Sequence, residues 1–177
     1  IGCKPEKIQR IYFANHSSHL DTIVIWSALP RSLRPLTRPV AARDYWQSGI
    51  RRRIAVDELN VVLVDRRRTE NSDPLDPMRQ ALREGSSLII FPEGTRSKGD
   101  EMHAFKMGSL QPAYMGKAAI VPVTLKHCYA LDEKKSHIRS ISVIYGKPIP
   151  YEEYGKIKQE ELLTRLHDEI QRNVYAR

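Results

Sequence analysis

Short apolar runs of strand length alternate with helix-period segments along almost the whole chain, and this alternation limits the possible folds more than any other feature. Residues 8–14, 40–42, 60–65, 87–91, 120–125 and 141–145 read as strands, most of them rich in Val, Ile or aromatic side chains and bounded by polar residues, Gly or Pro. Helical patterns lie between them. One covers 18–29 and ends at Pro30; a second starts near Asp44, where Trp46, Ile50 and Ile54 recur at helical spacing; a third covers 105–116. The last carries Leu162, Leu163, Leu166, Ile170 and Val174 on one stripe, which predicts an apolar face packed on the sheet. The best-punctuated helix has Asp76 as N-cap, Pro77 in the first position and Gly85 just past its end. Such a pattern predicts an α/β fold: a mostly parallel or mixed central sheet flanked by helices. At 177 residues, 41% of them hydrophobic, the chain is expected to form a single domain over 1–177.

A topological consequence follows. If the first, third and fourth strands are parallel, the segments leaving their carboxyl ends are His16 to Asp21, Arg66 to Arg68 and Pro92 to Ser97. Open α/β sheets bind ligands outside the carboxyl ends of their strands, so these polar segments are expected to share one edge.

Composition narrows the partners. A formal charge of +8 favours phosphate-bearing molecules: nucleic acid, anionic lipid headgroups or phosphorylated metabolites. Neither base-stacking aromatics nor a groove-reading helix is evident, and no nucleic-acid partner is expected. Cys3 and Cys128 have neither metal-ligand nor disulfide-scaffold spacing, which fits reduced thiols in a cytosol-facing protein. No apolar run is long enough to span a bilayer. The chain starts at Ile1 directly before a strand-like run, which points to an upstream segment, such as a membrane anchor, absent here.

Within Asn15-His16-Ser17-Ser18-His19-Leu20-Asp21, continuous helix would turn His16 and Asp21 away from each other, at about 100° per residue. A strand-to-helix corner brings them together. With Ser18 capping the helix and Asp21 in its first turn, the imidazole can fold back onto the carboxylate. The pair then forms the base and orienter of a catalytic triad, able to take a proton from a hydroxyl. Two alternatives stay open on the residues alone. Ser18 to Asp21 also resembles a capping box with Asp for Glu, in which Asp21 only satisfies helix amides. His16, His19 and Asp21 could also ligate a metal for hydrolysis, although His103 and His127 are isolated and no second ligand cluster supports a metal site.

In Phe91-Pro92-Glu93-Gly94-Thr95-Arg96-Ser97-Lys98, a buried strand ends at Pro92 and Gly94 permits a turn with outward amides. Thr95, Arg96, Ser97 and Lys98 add donors suited to phosphate. Glu93 fits such a site if it accepts from a substrate hydroxyl or orients Arg96. Arg66, at the end of Val61-Val62-Leu63-Val64-Asp65, is placed to clamp phosphate, and Lys106 could reach the same pocket. Arg67 and Arg68 read as solvated, as do Arg51, Arg52 and Arg53, with attraction to an anionic membrane surface as the alternative for the latter three.

These blocks resemble the 1-acyl-glycerol-3-phosphate acyltransferase family of glycerolipid acyltransferases. His16 to Asp21 matches its H-x-x-x-x-D motif, Val64-Asp65-Arg66 its second block, Phe91 to Ser97 its third and Val121-Pro122-Val123 its fourth. Phe105-Lys106-Met107-Gly108 and Tyr145-Gly146-Lys147-Pro148-Ile149 are also similar to recurrent family features. Blocks in this order are far more specific than any one alone.

The resemblance implies an acyltransferase-like fold and transfer of a fatty acyl group from acyl-CoA or acyl-carrier protein, as co-substrate and without another cofactor, to lysophosphatidic acid. Phosphatidic acid for phospholipid biosynthesis would be the product; glycerol 3-phosphate or another lysolipid is the alternative acceptor. His16 is implied as general base and Asp21 as its orienter. Arg66, Glu93 and Arg96 are implied as glycerol-phosphate ligands, with Gly94, Thr95 and Ser97 shaping the turn. Val121-Pro122-Val123 is linked in the family to the acyl or acceptor pocket, whereas Pro122 within a strand predicts an edge or a bulge. Work at the cytoplasmic side of a membrane, peripherally or through a segment missing here, is the implied location. Arg43-Asp44-Tyr45-Trp46 departs from the family's usual Lys followed by Glu and an apolar residue, in a region tied to acceptor identity.

Overall fold

The computed structural model describes residues 8–43, 59–65, 73–98, 101–131 and 140–176. The helix expected from Asp44, with Trp46, Ile50 and Ile54, lies outside them, as do Cys3, Arg51 to Arg53 and Arg66 to Arg68.

The sheet contains β1 (Arg10–Ala14), β2 (Thr37–Ala42), β3 (Val62–Val64), β4 (Ser87–Ile90), β5 (Ala119–Lys126) and β6 (Ser142–Tyr145) in the order β3-β2-β4-β1-β5-β6. All pairings are parallel except β5 with β6, so the expected mixed sheet is present. The central strands are apolar on both faces because both are covered. Ile11 and Phe13 point to one face with Leu88, Ile90 and Ile120; Tyr12 and Ala14 point to the other with Ile89, Val121 and Val123.

The helices divide between these faces. α1 (Asp21–Ala28) covers the Tyr12 face with Ile25, joined by Leu29 and the buried Cys128. On the Ile11 face lie α2 (Asp76–Arg83), α3 (Gln111–Gly116), the short α4 (Tyr151–Tyr154) and the long α5 (Gln159–Tyr175). The stripe read from the sequence is the buried face of α5: Leu162, Leu166 and Ile170 are fully inaccessible, and Leu163 and Val174 nearly so. Burial of such side chains contributes roughly 1.5–3 kcal/mol each, which ties the C-terminal helix to the sheet. Among the described residues no helix is long and apolar enough to cross a membrane.

Several boundaries differ from the sequence reading for local reasons. α2 begins with Asp76 already helical and Leu75 as its cap, because the turn starts earlier: Asp73 accepts from the amide of Leu75 through its side chain (3.0 Å) and from that of Asp76 through its carbonyl (3.0 Å). Its end is as expected. Gly85 takes φ +82°, and the amides of Ser86 and Gly85 close back on Ala81 and Leu82, each at 3.0 Å. The single helix expected over 105–116 is instead a 3₁₀ turn, Met107–Leu110, followed by α3 with Pro112 near its start. Pro112 has no N–H and its ring would collide with the carbonyl one turn back, so α-helix cannot run through it.

Pro122 is in an interior strand, paired to Phe13 of β1, and not at an edge. The bulge lies opposite it. Val123 pairs with Tyr145 while Ile120 bridges Ile149, so the chain beyond β6 carries one more residue than β5 here, and Gly146 donates to the Pro122 carbonyl (2.8 Å). The N–H that proline lacks faces this same bulged side, where the regular ladder is already broken.

Candidate active site

Parallel pairing of β1 with β4 sets the segment after Ala14 beside the segment after Ile90. The corner after β1 is organised first by Asn15. Its buried side-chain amide continues the sheet where the main chain departs, accepting from the Leu125 amide (2.7 Å) and donating to the Leu125 carbonyl (3.0 Å). His16 therefore leaves the sheet at a fixed point.

His16 Nδ1 lies 2.9 Å from Oδ2 of Asp21, the first residue of α1. The same oxygen accepts from the amides of Ser17 (2.6 Å) and Ser18 (2.9 Å). Asp21 is wholly buried, and its Oδ1 has no hydrogen-bond partner among the described residues. Half of the capping box is thus formed, with the carboxylate reaching back to Ser18. The other half differs from expectation: Ser18 does not cap α1, because its hydroxyl accepts from Leu20 (3.0 Å) and Leu20 occupies the cap position. One carboxylate thus holds both the amides of the corner before α1 and the imidazole. The imidazole stacks on Phe91, with centroids 4.2 Å apart and planes 24° from parallel.

Glu93 and Ser97 do not take the positions expected of acceptor ligands. Glu93 is fully buried; Oε1 accepts from the His16 amide (2.7 Å) and Oε2 from the His103 amide (2.9 Å). Burial pushes its carboxyl above the ordinary value of 4.5, and the amides of His103 and His16 offset this only in part. Ser97 is also buried, and both its N–H (2.7 Å) and its hydroxyl (2.9 Å) donate to the His16 carbonyl. The hydroxyl and carboxylate are visible in the sequence beside a turn, but the main-chain groups they satisfy lie across the sheet edge.

The remaining turn residues face a cavity of about 570 Å³. Gly94, Thr95, Arg96 and Lys106 line it together with His16, His19 and Thr22. Val40, Ala41, Ala42, Val64, Ile90 and Phe91 give it an apolar wall. Gly94 has φ +70°, and a Cβ there would sit 2.7 Å from Lys106 Nζ, so the lysine passes directly over the glycine. The Lys106 amide is held by the Pro92 carbonyl (2.9 Å). Thr95 Oγ1 lies 3.3 Å from Nδ1 of the half-exposed His103. Arg66 follows β3 outside the described residues. At the same end, Arg43 after β2 pairs with Asp65 after β3 (3.1 Å).

The metal set considered from the sequence is not assembled. Among the described residues no three His, Cys, Asp or Glu side chains are grouped to hold a metal ion, and His16 Nδ1 and Asp21 Oδ2 already engage each other. Asn15, Phe91 and His103 are contributors the sequence reading missed. Asn15 had a readable signal, an amide residue ending an apolar strand; the others required the fold.

The fold and this edge define an α/β protein in which a His–carboxylate pair opens on a cationic cavity at the carboxyl ends of parallel strands. Residues 4–126 match the sequence model of the Acyltransferase family, and the chain belongs to that family. It is similar to a probable 1-acyl-sn-glycerol-3-phosphate acyltransferase of Mycoplasma pneumoniae, 27% identical over 94% of this chain and 67% of that protein. The 1-acyl-sn-glycerol-3-phosphate acyltransferase of Limnanthes douglasii is 30% identical over 99% of this chain and 62% of its own length. In fold, the chain is similar to the crystal structure of the 1-acyl-sn-glycerophosphate acyltransferase PlsC from Thermotoga maritima, with TM-score 0.75 and 23% identity over 96% of this chain and 66% of that one. It spans about two thirds or less of the length of these relatives.

Proposed function

We propose that this chain carries the catalytic centre of a lysophosphatidic acid acyltransferase. The observation that carries the reading is the 2.9 Å contact of His16 Nδ1 with buried Asp21, in an imidazole that also lines the cationic cavity. With Nδ1 engaged, Nε2 is the nitrogen left to remove a proton. As the acceptor hydroxyl loses its proton to Nε2, its oxygen attacks the thioester carbonyl. An ester bond forms, the carbon–sulfur bond breaks, and the imidazolium returns its proton to the departing thiolate. Asp21 stabilises the imidazolium and keeps the ring in the productive tautomer. Arg96 and Lys106, with Arg66 beyond the described residues, are the cations for the acceptor phosphate, and the apolar wall suits the lipid part of a substrate. The names of the relatives support lysophosphatidic acid as acceptor. The charge of +8 and a glycerolipid acceptor support work at an anionic membrane surface. The cytoplasmic side, acyl-CoA or acyl-carrier protein as donor, and the lack of a further cofactor belong to the same proposal.

The test is transfer of a labelled acyl group from either thioester to lysophosphatidate, compared with His16→Ala. Loss of about 10²- to 10⁴-fold in rate is expected. A variant as fast as the parent would remove His16 from the reaction, and exclusive acylation of glycerol 3-phosphate would reassign the acceptor.

A further inference from the structure

We infer that Glu93 is a positioning residue that acts on the reaction through the main chain of His16 and does not touch the acceptor. The inference rests on the proposed role of His16 as base. Three observations carry it. First, the Glu93 side chain is inaccessible to solvent, and Glu93 is not among the residues that line the cavity. Second, its two oxygens are each occupied by a main-chain amide, His16 at 2.7 Å and His103 at 2.9 Å. Third, the two amides it joins belong to separate segments, each leading to a residue that lines the cavity: His16 follows β1, whereas His103 precedes the stretch that brings Lys106 over Gly94.

A buried carboxylate is a costly way to satisfy two amides, since its charged form is desolvated. What it supplies is geometry. When it is ionised both oxygens are acceptors only, so two N–H groups from separate segments are drawn to one rigid, planar group. The His16 amide is thereby fixed from one side, while Ser97 fixes the His16 carbonyl from the other. The imidazole is then oriented about a peptide that cannot shift, and Asp21 and Phe91 need only set its side-chain torsions. Glutamine retains the shape of Glu93 but carries one acceptor and one NH₂ group, so one of the two amides would face a donor.

The experiment compares the parent chain with Glu93→Gln and Glu93→Ala in two ways. Kinetics with lysophosphatidate and a thioester donor separate positioning from contact: kcat is expected to fall by about 10²-fold, the scale of an ångström-sized misplacement, with KM for the acceptor little changed. A rise in KM with kcat preserved would overturn the inference, because it marks a lost acceptor contact. Amide hydrogen exchange by NMR needs no activity. In Glu93→Gln, exchange at His16 or His103 is expected to quicken about tenfold, the equivalent of one hydrogen bond, while Val121 in β5 stays protected as a control for folding. Parent-like exchange at both amides would overturn the inference. A parent chain inactive towards lysophosphatidate would refute the functional reading alone, and the exchange result would still decide whether Glu93 holds His16.

Discussion

Ser97 donates twice to one atom of His16: its main-chain N–H and its hydroxyl both reach the His16 carbonyl oxygen, at 2.7 and 2.9 Å. A carbonyl has two lone pairs and both are used, so the peptide after the imidazole-bearing residue is fixed without water. The turn after β4 therefore serves the corner after β1 as a template, and this explains why a serine placed next to a phosphate-type arginine is buried.

Ser97→Ala removes only the hydroxyl partner, and the amide bond remains. The carbonyl stays satisfied, so the loss in stability should be about 0.5–1.5 kcal/mol, read from urea unfolding. A loss above about 3 kcal/mol would mean that the amide bond alone cannot hold the corner.

Asp21→Asn separates charge from shape. The asparagine oxygen can take the place of Oδ2 and accept from Ser17, Ser18 and His16, while its NH₂ occupies the site of the unpartnered Oδ1. The fold should persist, and kcat should fall by about 10²- to 10⁴-fold because the imidazolium loses its counter-charge. Circular dichroism checks the first expectation and steady-state kinetics the second; parent-like kcat would leave Asp21 with a capping role only.

Gly94 and Lys106 should be coupled. Alanine at 94 meets two penalties: a left-handed φ of +70°, and a clash of its Cβ with Lys106 Nζ at 2.7 Å. The first costs roughly 1–2 kcal/mol wherever Lys106 is, whereas the second displaces the lysine from the cavity. Gly94→Ala is thus expected to raise KM for the phosphate-bearing acceptor in the parent but not in Lys106→Ala, while lowering Tm in both. A double-mutant cycle reads the coupling, and strict additivity of the KM effects would show that Gly94→Ala does not act through Lys106.

Glu169, beside the bulge at Gly146, supplies a pH dependence unrelated to catalysis. Burial raises its carboxyl above 4.5, with Arg165 and Arg172 opposing. The folded state then holds this proton more tightly than the unfolded state. Its contribution is fully present below the unfolded value and lost as pH rises through the raised folded one. Glu169→Gln carries no such loss, so its Tm relative to the parent should improve as pH goes from about 4 to about 7. Thermal unfolding across that range checks the sign; a relative Tm that declined with pH would mean the arginines dominate.

Much of the fold was legible because its signals are local. The stripe of Leu162, Leu163, Leu166, Ile170 and Val174 needs only helical periodicity, and Gly85 marks the end of α2 through a backbone conformation that glycine adopts freely. Pro112 is a local signal too, since a proline within the helical pattern from Phe105 marks where it divides into a 3₁₀ turn and α3. The pairing of His16 with Asp21 could be read for the same reason, since both residues lie within one strand-to-helix corner.

The alternation of strands and helices, the apolar faces that make a covered parallel sheet, and an imidazole and carboxylate at its edge are all written in local residue patterns. Long-range pairing is what separates the polar side chains that face the cavity from those that serve the backbone. Glu93 and Ser97 meet His16 across more than seventy residues of chain, and their partners are an amide and a carbonyl that every residue but proline possesses. A main-chain group carries no residue-specific mark, so only the parallel pairing of β1 with β4 could show where those side chains would find it.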